Sequence, residues 1–269
     1  MRLFRFYDFA KYGEMVLRDL EIRTSIPSSL NDPFELKPNI DPLQFTEETV
    51  ESLLQRNWIV DGFFEIEGHQ FANRAEFEAN YFATIHDRAV QFLPGVRENV
   101  ENAEKNFDEG FSRYWRLICM SRTRNSILMW SHYAEQHTGL VIEFETSEPP
   151  FSALDQRFIA RVAYSDQKPA YMHKQLPHEF ENEMIRVAAT KATDWKYEEE
   201  FRVILEAEDL RVDRYFKISR SCIKGVTMGC NSTAKDKEEI LRALDQTGLH
   251  HVSFQTASRS KSEYALTFD

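Results

Sequence analysis

Four apolar runs of strand length constrain this chain most: Leu117-Ile118-Cys119-Met120, Leu140 to Glu145, Tyr197 to Leu205 and Ile223 to Cys230. Each is too short for a typical globular helix and is rich in aliphatic or alternating residues, which reads as a strand with one or both faces buried. In Tyr197 to Leu205 the apolar Phe201, Val203 and Leu205 alternate with Glu200, Arg202 and Ile204. The opening of the chain adds β-α-β. Leu3 to Tyr7 predicts a strand, Tyr12, Met15, Val16 and Leu20 recur at helical spacing, and Glu21 to Ile26 predicts a second strand. Further strands are expected near Phe158 to Tyr164, and helices from about Asn125, over His178 to Lys191 and over Lys235 to Asp245.

Between the two strand regions the pattern changes. Thr46, followed by Glu47 and Glu48, has the chemistry of a helix start, with Val50, Leu53, Leu54 and Trp58 on one face. Further helices are predicted at Asn73 to Phe92 and Val96 to Arg113, separated by Pro94-Gly95. The expected architecture is therefore α+β: a mixed, mainly antiparallel β core with flanking helices, forming a single domain over 1–269 with a helical insertion at about 44–113.

A chain of 269 residues can bury a substantial core, and its 21 Phe, 10 Tyr and 4 Trp supply large side chains for it. The net charge of −11 repels phosphate backbones, so generic nucleic-acid binding is not expected. Cys119, Cys222 and Cys230 form no CxxC pair, which predicts a reducing, cytoplasmic setting. No run of 18 apolar residues predicts a membrane span, and no signal peptide is expected.

Three blocks carry candidate chemistry. The first is Trp130-Ser131-His132-Tyr133-Ala134 with His137 and Gly139, which gathers an indole, a hydroxyl, two imidazoles and a phenol behind the apolar anchor Ile127-Leu128-Met129. The spacing of His132 and His137 is not the i, i+4 spacing of a helical zinc pair, so no metal is expected. Core aromatics with satisfied histidines, and Gly139 as a helix C-cap, are the plainer alternative. The second block is Trp195-Lys196-Tyr197-Glu198-Glu199-Glu200-Phe201-Arg202. On a strand, a period of two would send Glu198, Glu200 and Arg202 to one face, where crowded carboxylates raise one pKa and a guanidinium lowers it. A solvated strand face with an ordinary ion pair is the competing reading. The third is Ser29 to Glu35, where Asn31 and Asp32 can bond their own backbone or a ligand. Arg5 and Tyr7 share one face of the first strand, and Arg5 there could clamp a phosphate or carboxylate. No GxSxG elbow and no phosphate-binding glycine loop is present.

Together, these blocks resemble a bacterial and phage family known as domain of unknown function twenty-nine seventy-one, over about Leu3 to Cys230. The layout is also similar to that of ADP-ribosyltransferases. That second resemblance implies NAD as substrate, with Arg5 as the clamp on its ribose and phosphates, Tyr133 with His132 as the middle motif, and Glu200 or Glu198 as the late glutamate. Catalytic candidates are then Glu200, Glu198, Arg202, His132 and Tyr133, and ligand-binding candidates Arg5, Tyr7, Asn31, Asp32, Trp130, Ser131 and His137. This chain departs from that layout in placing the middle motif on a helix and in separating it from the opening strands by an insertion. The expected function is transfer of ADP-ribose from NAD bound in a central cleft to an acceptor, macromolecular or not. A metal-assisted phosphodiesterase built on Glu198, Glu200 and His132, and a non-catalytic ligand- or partner-binding module, are the alternatives.

Overall fold

The computed structural model describes residues 1–99, 107, 109–171, 177–207 and 214–269. In chain order its main elements are β1 (Arg2–Tyr7), α1 (Glu14–Asp19), β2 (Glu21–Arg23), β3 (Asn39–Ile40), α2 (Glu47–Leu54), α3 (Asn57–Glu67), α4 (Arg74–Ala83) and α5 (Ile85–Glu98). They continue with β4 (Trp115–Ser121), α6 (Ile127–Tyr133), β5 (Leu140–Glu145), β6 (Ile159–Arg161), β7 (Ala163–Ser165), β8 (Ala170–Tyr171), α7 (Pro177–Ala188) and β9 (Thr190–Ala192). The last are β10 (Glu200–Glu206), β11 (Tyr215–Lys217), β12 (Ile223–Met228), α8 (Ala234–Gln246), β13 (Ser253–Arg259) and β14 (Leu266–Phe268). The class is α+β, as the runs of apolar residues predict.

Contacts divide the chain into two compact units: residues 1–36, 109–167 and 189–269 in one, and 37–108 with 168–188 in the other. The first is built on an eight-stranded sheet in the order β14-β13-β12-β5-β1-β4-β10-β6. Its neighbours are antiparallel except β12 and β13, which run parallel and are joined through α8. A capping box between Thr233 and Asp236 starts that helix, and its Ile240, Ala243 and Leu244 are buried. With Val16 and Leu17 of α1 they cover the sheet face that carries Leu3, Tyr7, Ile142, Phe144 and Val203. On the opposite face Met129 and Trp130 of α6 pack on Phe6, Val141 and Ala257. The sheet is thus buried on both sides, which explains why its central strands read as continuous apolar runs.

Pairing within the sheet is uneven. β1 pairs with β5 along its whole length, from Arg2↔Glu145 to Tyr7↔Leu140, and β4 pairs with β10 from Trp115↔Glu206 to Ser121↔Glu200. Between β1 and β4 the register holds at one position, Phe4↔Ser121. Further along, β4 bonds instead to Ser25, in a two-way bridge with Leu117 at 2.8 and 3.0 Å. The sheet therefore splits between β1 and β4.

The second unit has its own core of Val50, Leu54, Val60, Phe77, Tyr81 and Ala89. Tyr81 Oη donates to Leu54 O at 2.9 Å, and Arg88 forks onto Glu67 at 2.7 and 3.1 Å. Thr46 caps α2 as its chemistry predicts, with its side chain accepting from Thr49 N. The break that Pro94-Gly95 predicts is not observed. Pro94 is accommodated inside α5, and the interruption falls at Thr84, whose hydroxyl donates to Asn80 O and competes with the helix ladder. The single face expected from Val50 onward is also broken, because Arg56 is extended between α2 and α3. Most of the helix expected over Val96–Arg113 lies outside the described residues.

Candidate active site

The segment before β10 departs from the strand that its alternation predicts. Thr193–Glu198 is a 3-10 turn, and Glu199 follows in a left-handed conformation with φ 43°. Glu198 therefore does not reach Glu200 by a period of two. The reversal at Glu199 brings the two side chains together, while Glu199 itself is exposed. Burial favoured this over the solvated face that spacing also allowed: Glu198, Glu200 and Arg202 are 3 %, 4 % and 0 % exposed.

Burying three such groups requires partners. Arg202 forks onto Glu200, Nε to Oε1 at 2.8 Å and Nη2 to Oε2 at 3.0 Å, and Nη2 also donates to Glu35 Oε1. Lys191 Nζ donates to Glu198 Oε2 at 2.7 Å and Glu200 Oε2 at 3.3 Å, and lies 3.6 Å from Glu35 Oε1. Its ammonium also sits 4.6 Å from the Trp195 ring centroid. Tyr133 Oη donates to Glu198 Oε1 at 2.7 Å and accepts from Asn31 Nδ2 at 3.1 Å. Backbone bonds hold the frame, with Ser121 Oγ donating to Glu198 O at 2.6 Å and Glu200 N donating to Tyr164 Oη at 2.8 Å.

Three carboxylates, Glu35, Glu198 and Glu200, thus face two cations, Lys191 and Arg202. Burial pushes the Glu200 carboxyl up to about 7, Lys191 pulls it down, and the Glu198 charge adds to the rise. Burial draws the Arg202 guanidinium down to about 9, which leaves it cationic at neutral pH. Lys191 is held above the usual ammonium range by Glu200 and Glu198, against the burial that opposes it. Burial, followed by the Glu198 charge, raises the Tyr133 hydroxyl, so it stays a donor. The Cys119 thiol is raised by burial and by Glu200, so it is a poor nucleophile.

These groups line a cavity of about 270 Å³, together with Phe4, Phe6 and Met129 as an apolar wall. By strand alternation Phe4, Cys119, Ser121, Glu200 and Arg202 share one face of the sheet, while Arg5 and Met120 belong to the other. The cavity lies at the split between β1 and β4, which is why residues of both faces line it. Arg5 reaches it from the edge of the split. Its Nη2 is fixed by Arg23 O at 3.1 Å, while its Nη1 is buried without a partner among the described residues. Glu35 Oε2 is likewise buried and unpartnered.

Arg5, Asn31, Tyr133, Glu198, Glu200 and Arg202, from three distant parts of the chain, therefore converge as the sequence predicts. His132 does not line this cavity. It is exposed, its Nδ1 lies 3.2 Å from Tyr197 Oη, and it borders a neighbouring cavity of about 490 Å³ that Tyr7 also lines. Tyr7 is otherwise a core residue, its hydroxyl pushed up to about 12 by burial. Asp32 serves its turn, Oδ1 accepting from Phe34 N at 2.9 Å.

Trp130, Ser131 and His137 stand apart from the site. The Trp130 ring is fully buried against Phe6, with Nε1 donating to Arg124 O at 2.7 Å. Ser131 is exposed. His137 stacks on Trp130 and lines a separate cavity with Cys230 and Arg259. The helix ends in three consecutive left-handed residues, Glu135, Gln136 and His137, and not in a glycine cap. Gly139 is needed for a different reason: a Cβ there would lie 2.1 Å from Tyr7 O.

Sequence reasoning missed Lys191 and Glu35 as site residues. Lys191 reads as the end of the charged helix expected over His178 to Lys191, yet that helix stops at Ala188 and Lys191 sits three residues later on β9. Glu35 was visible in the Ser29-to-Glu35 block, and its acidic side chain after Pro33-Phe34 was the available signal. Among the described residues no group of three or more His, Cys, Asp or Glu side chains is arranged to hold a metal ion.

The family model described as Protein of unknown function (DUF2971) matches residues 129–203. The family resemblance drawn from the sequence is supported over that segment. It runs from α6 to Val203 of β10 and so carries Tyr133, Lys191, Glu198, Glu200 and Arg202, while Arg5, Asn31 and Glu35 lie outside it. No curated protein and no solved structure matches the chain.

Proposed function

We propose that the cavity at the split holds the nicotinamide–ribose end of NAD and that the protein transfers ADP-ribose to an acceptor, macromolecular or water. One observation carries this reading: three carboxylates, Glu35, Glu198 and Glu200, are fixed by Lys191 and Arg202 at a small cavity that also has an apolar wall. A fixed carboxylate stabilises the positive charge that develops on a ribosyl carbon as its bond to nicotinamide breaks. The electron pair of that C–N bond leaves with nicotinamide, the acceptor's lone pair forms the new bond to the same carbon, and the acceptor's proton passes to the Glu200 carboxylate. A carboxyl that titrates at about 7 suits that exchange at neutral pH. Tyr133 and Lys191 hold Glu198 in place, Arg202 holds Glu200, and the free Nη1 of Arg5 is available to the ligand's anionic part. About 270 Å³ falls at the low end of small-molecule pockets, fitting one end of a dinucleotide.

A reducing, cytoplasmic setting belongs to the same proposal: all three cysteines are free. No described helix is long and apolar enough to cross a membrane. The phosphodiesterase alternative loses support because Lys191 and Arg202 already serve as cations for the carboxylates and His132 stands outside the inner cavity. A non-catalytic binding module is favoured by that same engagement, since every carboxylate of the cluster has a cationic partner. Incubation with NAD and cell lysate separates the two readings. Release of nicotinamide, abolished by Glu200→Gln, supports transfer, and binding without turnover supports the module.

A further inference from the structure

The neighbouring cavity of about 490 Å³ shares Arg5, Ser25, Ser29 and Tyr133 with the inner one, so the two adjoin. Their linings differ in charge: the inner one has three carboxylates and the outer one is mainly cationic. The outer cavity is lined by Arg5, Lys11, Arg23 and Arg214, with His132 at its margin, against one carboxylate, Asp8, whose Oδ1 already accepts from Lys11 N at 3.1 Å. Among the described residues this lining carries four cations and one carboxylate, in a chain whose net charge is −11. The fold places them deliberately. β2 and β11 pair at Arg23↔Tyr215, and Arg214 O is held by both Thr24 N at 2.8 Å and Thr24 Oγ1 at 3.1 Å, which sets Arg214 beside Arg23. The Arg5 guanidinium is oriented by its bond to Arg23 O, and its Nη1 is left buried without a partner.

We propose that the outer cavity is a diphosphate-binding subsite, which makes the ligand of the paired cavities a nucleoside diphosphate derivative. A phosphoryl group supplies strong acceptors and up to about two negative charges, the complement of this lining. A cavity of this volume receives a short anion and not a continuous nucleic-acid backbone, which the overall charge also repels. The identity of the ligand's far end rests on the transfer reading above, but the diphosphate subsite does not.

The test is calorimetric titration of the full chain with ADP, pyrophosphate and adenosine. ADP and pyrophosphate are expected to bind and adenosine far more weakly. Lys11→Glu and Arg214→Glu, both at exposed positions, are each expected to weaken ADP by about tenfold or more, the loss of one charged hydrogen bond. Glu199→Gln should leave ADP affinity within about twofold, since the residue is exposed and lines neither cavity. Equal affinity for adenosine and ADP, or ADP affinity unchanged in both charge reversals, overturns the proposal. So does binding of a short single-stranded RNA that the same variants abolish while ADP does not bind. If ADP binds and the reversals weaken it but NAD is never turned over, the subsite stands and the transfer reading falls.

Discussion

The raised Glu200 carboxyl makes a quantitative expectation for stability. In the folded chain it titrates at about 7, against an ordinary 4.5, chiefly because burial disfavours its charged form. A group whose folded pKa is raised holds its proton more tightly when folded, so its contribution is complete below the unfolded pKa and is lost as pH rises through the folded one. Each pH unit in that window is worth about 1.4 kcal/mol. From below 4.5 to above 7 the wild-type chain should therefore lose about 3 kcal/mol through this group alone. Glu200→Gln keeps the size and the neutral state but has no proton to lose. Urea unfolding of both proteins in parallel from pH 4.5 to 8 reads this contribution, because a constant offset from the amide drops out and groups remote from Glu200 titrate alike in both. The stability of Glu200→Gln relative to wild type should rise by about 3 kcal/mol across that range, most of it between pH 5 and 7. A difference that stays flat with pH would show that Glu200 titrates normally, and the acid–base role assigned to it would go with it.

Turnover of NAD should rise with pH through about 7 as Glu200 ionises, and Glu200→Gln should abolish it while Glu199→Gln, at an exposed turn, changes it less than about twofold. A pH-independent rate, or equal losses in the two variants, would contradict this. Lys191→Met should cost about 3–5 kcal/mol in urea unfolding, because it strands Glu198 and Glu200 without their ammonium. Adding Glu198→Gln to it should recover part of that loss. Tyr133→Phe should cost about 1–3 kcal/mol by removing the donor to a buried carboxylate, with an unchanged far-ultraviolet circular dichroism spectrum. Gly139→Ala should lower the thermal midpoint more than any of the surface variants, since its Cβ would meet Tyr7 O at 2.1 Å.

Much of the fold was legible because the sheet is buried on both faces and its strands are short apolar runs: Leu140–Glu145 is a strand over the predicted residues, Thr46 caps its helix as its chemistry predicts, and the helix expected from about Asn125 starts at Ile127. Breaks were less legible where tertiary context decided them. Pro94 suggested an interruption that the helix absorbs, and nothing in Thr84 alone announced one. In the site, the convergence of Arg5, Tyr133 and the Glu200 region could be read from polar blocks set against apolar anchors. The reason proposed for the Glu198–Glu200 pairing was wrong, because an acidic residue at a left-handed position carries no local signal as a glycine would. Lys191 was invisible for a related reason: three residues after the helix, a lysine looks like a solvated end, and only the carboxylates folding over it make it the centre of a network.

The position of that network bears on its purpose. A buried ion cluster seldom adds stability, because removing five charged side chains from water costs about as much as their mutual attraction returns, and apolar residues of similar size often do better. Here the cluster occupies the place where the sheet is interrupted. β4 leaves β1 after Phe4↔Ser121 and bridges to Ser25, so a gap opens that side chains of both faces must line. A stabilising core would fill such a gap with aliphatic groups, as the rest of the same sheet does. This chain instead keeps a cavity there, surrounds it with three carboxylates and three cations, and leaves a guanidinium N–H and a carboxylate oxygen at its wall without partners among the described residues. Unsatisfied buried polar atoms each cost about 1–3 kcal/mol. Two of them beside a cavity, on groups of opposite charge, are better explained by a ligand that supplies both an anionic and a donor group than by packing.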